Sequence, residues 1–210
     1  MVAVAVEKAP ALAREIVERG HEAAAHGQSW TPQYDLDEAA EREFIADNVE
    51  IIKRFTGATP KGYNCQAMRG TTRTLALLQE QGFGYHIDDV SLDEPFIIPV
   101  RGKDFVVVPY TINLNDIVQF ERYNFDIQGF EQQLYDEFDQ LYEEAARRRR
   151  MMSISLHDRI AGRPARVRSL RRFIEYAQKK KGVVFMRKGE IAEIALASAL
   201  TPRFESLYEK

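Results

Sequence analysis

"DFVVVPYTINLND", residues 104–116, is the stretch on which the fold turns. Its first half is a short run of β-branched and aromatic residues bounded by polar ones, which predicts a buried strand. Its second half is polar and ends in Asn115 and Asp116. An apolar strand that breaks into polar side chains suits a parallel sheet, where ligands meet the carboxyl ends of the strands.

The same rhythm extends in both directions. Upstream, Val2 to Val6 alternate with alanine and read as a buried strand. "EKAPALAREIVERGHE" reads as a helix with Pro10 near its start and Gly20 at its end. "EAAAH" is a short strand running into the loop "GQSWTPQY". Residues 37–55 form an amphipathic helix with Phe44, Ile45, Val49, Ile52 and Phe55 on one face and Asp35 or Asp37 as cap. "PKGYNCQAMRG" is a loop with a short strand, and "TTRTLALLQEQGF" is a helix stopped by Gly82. "GYHIDDVSLDEPFIIPV" leaves that helix as a strand and becomes an acidic loop.

Downstream of the opening stretch, residues 128–150 read as a long helix and "MMSISLH" as a strand ending at His157. "RPARVRSLRRFIEYAQKK" is a helix, "GVVFMRK" a strand and "GEIAEIALASAL" a last helix. Alternating strands and helices predict an α/β fold with a mainly parallel sheet. Its expected inner strands are Val2 to Val6, Val106 to Val108, Met151 to Leu156 and Val183 to Phe185. A chain of 210 residues fits one domain, 1–210.

Composition narrows the function. A net charge of -3, with 29% charged residues, predicts neither nucleic acid nor a membrane surface as partner. The run Arg147 to Arg150 closes an acidic helix and reads as a solvated helix end. Cys65 is the only cysteine, so no intrachain disulfide forms; it reads as a buried small residue. No stretch approaches 18 apolar residues, so no membrane span is expected. The opening residues lack the features of a signal peptide, and a cytoplasmic location is expected.

Polar residues gather just after the expected strands: His26, Asn64, His86 to Asp89, Asn115 with Asp116, and His157 with Asp158. Strand ends of this kind share one face in a parallel barrel or sheet, and active sites sit there. A neutral imidazole serves as acid or base near neutral pH, and a carboxylate beside it fixes its tautomer. His26, His157 and an Asp could therefore bind a metal or move protons. His21 reads as a loop or strand-edge residue, and His86 beside Asp88 and Asp89 as a structural hydrogen-bonded set. There is no nucleophile elbow, phosphate-cradling loop or G-x-G-x-x-G.

Four runs together resemble a known family: "PALAREIVERGHEAAAHGQSW", "TGATPKGYNCQAMRGTTRTLALLQEQGFGYHIDD", "VVVPYTINLND" and "ISLHDRIAGRPARVRSLRRFIEYAQKKKGVVFMRKGEIA". They look like the polysaccharide deacetylases, the carbohydrate esterases with the nodulation-protein deacetylase domain. The nearest branch contains metal-independent allantoinases, cyclic imide hydrolases and a bacterial peptidoglycan deacetylase. The resemblance implies a distorted, incomplete (β/α) barrel and hydrolysis of a C–N bond in an amide, acetamide or cyclic imide.

The resemblance also implies residue roles. Metal-dependent members hold a divalent metal such as zinc with an early Asp, from "T-F-D-D", and two histidines of "H-(S/T)-x-x-H". His26 matches the first of that pair, but Trp30 stands where the second would fall. His157 matches a late histidine that acts as acid, and Asn64 stands where arginine is common. "T-F-D-D" would fall before Met1, so the domain is expected to lack its N-terminal strand or strands. His26 is then the only matched ligand position, short of the three that catalytic zinc normally takes, and no tightly bound metal or other cofactor is expected.

The resulting expectation is a hydrolase with His157 and His26 catalytic and Trp30, Asn64, Asp88, Asp89 and Asn115 around the substrate. The substrate would be a small amide, a cyclic imide or ureide, or an N-acetylated carbohydrate. A homo-oligomer is expected, because members of that branch are often oligomers. The alternative is an N-terminally truncated, inactive relative that serves as a binding module.

Overall fold

The computed structural model describes residues 1–205. In chain order its helices and strands are α1 (Ala3–Lys8), α2 (Pro10–Glu18), α3 (Glu38–Thr56), β1 (Gly62–Tyr63), α4 (Thr74–Glu80), β2 (Tyr85–His86), β3 (Phe96–Val100), β4 (Lys103–Val107), α5 (Ile127–Glu144), α6 (Asp158–Ala161), α7 (Pro164–Gln178) and α8 (Lys188–Ala197). They fall into two compact units. The first comprises Met1–Asp89, Pro95–Pro109 and the chain from Met186; the second comprises Val90–Glu94 and Tyr110–Phe185.

The first unit is built on a sheet of order β1-β2-β4-β3. Strands β1, β2 and β4 are parallel, with Tyr85 opposite Val106 and His86 opposite Val107. Ala25 extends this parallel run beside β1: its N–H donates to Gly62 O at 2.8 Å, and Asn64 N–H donates to Ala25 O at 3.0 Å. Val106, Val107 and Val108 are fully buried, as an inner strand of this composition should be. Helix α3 presents Phe44, Ile45 and Ile52 to the core. Its ends follow the sequence rules: Asp37 accepts from Ala40 N–H at 2.9 Å, and Gly57 closes the helix at a φ of 73°.

Residues 84–100 read as a strand followed by an acidic loop; β2 fits the first part, but the end of that stretch is a further strand. β3 pairs antiparallel with β4 through a two-residue turn, Arg101–Gly102. Both turn residues have positive φ, 48° and 71°, as a type I′ hairpin requires. Pro99 hides the strand from pattern reading, since proline is excluded from central strands. Residues 202–204 lie along β3: Ile97 N–H donates to Pro202 O, and Phe204 N–H donates to Ile97 O, both at 2.9 Å.

Three of the expected inner strands are corrected. Ala3 to Val6 lie in α1 with Val2 as its N-cap, and none of them is in a strand. Only Ala3 and Val6 of α1 are buried, a spacing of three, and alanine is the best helix former. Alternation of two apolar residue types thus carried no period-2 burial signal. Val183 to Phe185 form no strand, and Val184 and Phe185 are exposed. Of Met151 to Leu156, only Ser155 makes a ladder contact, a parallel bridge to Asn115.

The second unit centres on α5 and α7. Phe130, Leu134 and Phe138 of α5 pack with Leu170, Phe173 and Ala177 of α7, and Leu114 and Ala161 complete the cluster. Asp126 caps α5 by accepting from Gly129 N–H at 2.7 Å, and Pro164 occupies the first turn of α7. Helix α5 ends at Glu144, short of the expected residue 150. The arginine run is not a solvated end throughout: Arg150 is largely buried, ion-paired with Glu144 and 3.8 Å from Asp93. Arg148 lies 3.5 Å from buried Glu94. The acidic loop recruits these cations because a buried carboxylate needs a counter-charge.

Candidate functional site

Parallel strands bring residues that follow them to one end of the sheet. In the first unit those residues are His26, Asn64 and Asp88, after Ala25, β1 and β2. The His26 backbone N–H donates to Met1 O at 2.9 Å and to Asn48 Oδ1 at 3.0 Å. Asn48 is fully buried on α3, so the helix fixes where the strand delivers this histidine. His26 Nδ1 lies 2.7 Å from Asn64 O. A carbonyl only accepts, so in the neutral ring Nδ1 carries the proton and Nε2 the lone pair.

Asp88 holds the residue that holds His26. Its Oδ1 accepts from Asn64 Nδ2 at 2.6 Å, and both its oxygens lie 3.1 Å from Cys65 N. The Cys65 thiol is pushed well above its usual range by burial and then by the Asp88 charge, which makes it a poor nucleophile. His86 is buried, stacks on Phe105 and takes part through a 3.4 Å contact of Nδ1 with Asp88 N–H. Asp89 follows in the chain and is half-buried. Trp30 is 61% exposed and meets the His26 ring edge-on, centroids 5.6 Å apart.

A buried polar network underlies the loops that carry these groups. Glu41 of α3 is fully buried and accepts from Gln33 Nε2 at 2.9 Å, from Thr71 Oγ1 at 2.6 Å and from Thr74 Oγ1. Tyr63 OH donates to Gln33 Oε1 at 2.9 Å, which ties β1 to the loop after Trp30.

The second unit holds the other histidine. The bridge between Asn115 and Ser155 sets two turns side by side: Asp116 N–H donates to Ser155 O at 3.0 Å, and Ser155 N–H donates to Leu114 O at 3.1 Å. Asp116 is fully buried, and both its oxygens engage His157: Oδ2 accepts from the backbone N–H at 2.7 Å, and Oδ1 lies 2.6 Å from Nδ1. A buried carboxylate on Nδ1 again leaves the lone pair on Nε2, and about a third of the side chain is solvent-accessible. Asn115 braces the turn, donating to Tyr110 OH at 2.6 Å and accepting from Ile117 N–H at 2.9 Å. The chain then enters a π-helical turn, Ile117–Arg122, a geometry frequent at functional sites.

The structure thus joins His26, Trp30, Asn64 and Asp88 in one constellation, and Asn115 and His157 in another. The expected site residues do not include Asn48 or Glu41, and they include Asp116 only as one of the strand-end polar groups, without a role. Asp116 stood beside Asn115 at a strand end, and that was its only signal. Asn48 and Glu41 sit inside an amphipathic helix, where a polar residue on the apolar face is the available clue.

Whether a divalent metal fits can be judged from the donors. Trp30 has no lone pair to offer at the position after His26. Among the described residues, no group of three or more His, Cys, Asp or Glu side chains is arranged to hold a metal ion. The donor set therefore does not fit a three-ligand centre.

A family profile described as polysaccharide deacetylase matches residues 1–86. A solved structure from Pseudomonas aeruginosa PAO1, named for polysaccharide deacetylase, is 38% identical over 94% of this chain and 67% of its own, with a TM-score of 0.84. The chain belongs to the polysaccharide deacetylase family.

Two further proteins are similar to this chain. The crystal structure of Puue allantoinase is also 38% identical, with a TM-score of 0.84, over 94% of this chain and 66% of its own. A Schizosaccharomyces pombe protein named for polysaccharide deacetylase is 28% identical over 90% of this chain. The chain spans 64% of that protein's length. The expected α/β fold, a distorted barrel of the deacetylase type, is thereby established. No described helix is long and apolar enough to cross a membrane.

Proposed function

We propose that this deacetylase-family chain carries the proton-transfer machinery of a hydrolase acting on C–N bonds other than peptide bonds, with a cyclic imide or ureide as its substrate class. The pairing of His157 with buried Asp116 carries the reading. Asp116 fixes the ring in the tautomer whose Nε2 accepts a proton. Water adds to the substrate carbonyl and its proton passes to His157 Nε2. The same proton then moves to the departing nitrogen as the C–N bond breaks.

Trp30 favours a flat ring over a metal-bound acetamide, because it stands where a second metal-binding histidine would. Asn115 braces the turn that carries the Asp116–His157 pair, and the working assembly is a homo-oligomer. A substrate panel tests this. Succinimide and hydantoin are expected to be hydrolysed, N-acetylglucosamine oligomers left intact, and chelator to have no effect. Deacetylation of the sugar that chelator abolishes would overturn the imide assignment. Hydrolysis of none of them would favour the inactive, ligand-binding alternative.

A further inference from the structure

Trp30 is the only tryptophan in the chain, and its exposure alone would leave it free to swing. It is instead held by Gln66. With the Gln66 amide turned so that both its ends are satisfied, Oε1 accepts from Trp30 Nε1 at 3.0 Å and Nε2 donates to Thr31 O at 2.7 Å. One side chain thus grips the indole and the peptide next to it.

Gln66 is itself held in an unusual turn. Ala67 and Met68 both adopt left-handed backbone, φ 52° and 57°, without being glycine. Such residues cost about 1–2 kcal/mol each and persist only where surrounding contacts demand them. The demand is visible: Met68 N–H donates to Cys65 O and Arg69 N–H to Gln66 O, both at 3.0 Å. The Arg69 guanidinium lies 6.0 Å from the Tyr34 ring, a second tie between the same two loops. The turn starts at Cys65, whose N–H is fixed by Asp88.

We propose that Gln66 is a specificity-determining positioning residue. It holds Trp30 as a fixed lip beside His26, and the lip selects a flat, neutral ring that stacks on the indole. The substrate class rests on the reading given under Proposed function; the lip does not. Stacking on a fixed aromatic face avoids the entropy cost of ordering it at the moment of binding, so loosening the lip weakens the ligand without removing a ligand contact.

The single tryptophan makes the test direct. Trp30 anisotropy and emission are read in wild type, Gln66→Ala and Gln66→Glu, with succinimide as titrant and unfolding midpoints checked for each. In wild type, high anisotropy and a saturable emission change are expected. In Gln66→Ala, anisotropy should fall and the succinimide dissociation constant should rise by about tenfold, the equivalent of one hydrogen bond's net contribution. Gln66→Glu keeps an acceptor for the indole N–H but turns a carboxylate on Thr31 O, so it should fall between the two. Unchanged anisotropy in Gln66→Ala overturns the lip. Reduced anisotropy with unchanged succinimide affinity overturns its role in specificity. Reduced anisotropy with no succinimide binding even in wild type leaves the lip standing and overturns the imide reading.

Discussion

Replacing Glu41 with leucine tests how the site loops are held. The carboxylate is fully buried and receives three side-chain donors: the Gln33 amide and the hydroxyls of Thr71 and Thr74. Each orphaned buried donor costs about 1–3 kcal/mol. The hydroxyls recover part of this, since Thr71 and Thr74 Oγ1 already lie 3.5 Å apart and can turn toward each other. The leucine also escapes the desolvation of a buried charge, which offsets some of the loss. The Gln33 amide keeps only the long 3.5 Å contact from Nε2 to Thr74 Oγ1, and it is held in place by Tyr63 OH on its oxygen. The net loss should be about 2–4 kcal/mol, and Glu41→Gln, which keeps one acceptor, should lose roughly half of that. Urea unfolding followed by Trp30 emission reads the first unit. A midpoint shift without a change in slope is expected. A Glu41→Leu protein within about 0.5 kcal/mol of wild type would refute the claim that this carboxylate holds the loops.

Other expectations concern single residues. Burial pulls the Lys188 amine down to about 8 from 10.5, while its Nζ donates to Pro109 O. The unfolded chain binds the extra proton between those values, so this group's contribution to stability rises with pH across that window. The unfolding free energy of wild type relative to Lys188→Met, read from urea titrations, should rise across that window by at most about 3 kcal/mol, less in proportion to the water the ammonium retains. A flat difference would contradict the desolvation. Ala67→Gly should stabilise the protein by up to about 1 kcal/mol by relieving left-handed backbone; a lower melting temperature would speak against strain there. In Gly62→Ala, the added methyl would sit 2.0 Å from Tyr85 Cζ, displacing the ring and its 2.9 Å hydrogen bond to Glu22. A loss of about 2–4 kcal/mol is expected, most of it recovered when Tyr85→Leu is added; simple additivity of the two changes would rule the clash out.

The parts of the fold that pattern reading reached are those where burial and period agree. Helix α3 repeats Phe44, Ile45 and Ile52 at helical spacing between an acidic cap and a glycine, and Val106 to Val108 are uniformly apolar. Where one residue type imitated two signals, it failed. The Val-Ala alternation of residues 2–6 looks like a strand, yet it folds as a helix because only every third residue faces the core. β3 was hidden by Pro99 and by an acidic prelude, although Arg101–Gly102 marked the hairpin. In the site, His26, Asn64 and Asp88 were legible because each comes just after a ladder segment: the Ala25 bridge, β1 or β2. Their connections were not: Asp116 and His157 lie 41 positions apart, and Gln66 and Trp30 lie 36 apart. Pairings at such separation depend on how the strands are laid beside one another, which no local pattern encodes.

His157 and the carboxylate behind it are the core of the proposed proton transfer. Initial rates of succinimide hydrolysis, measured in the presence of chelator for wild type, Asp116→Asn and His157→Ala, address it directly. The amide at position 116 could present either an N–H or an oxygen to Nδ1, so the tautomer would no longer be enforced. Both variants should lose about 10²–10⁴-fold in kcat, the usual worth of positioned acid–base catalysis, with smaller changes in KM. Wild-type turnover that survives chelator and collapses in both variants is the predicted result. Turnover retained within a few-fold in Asp116→Asn and His157→Ala would contradict it.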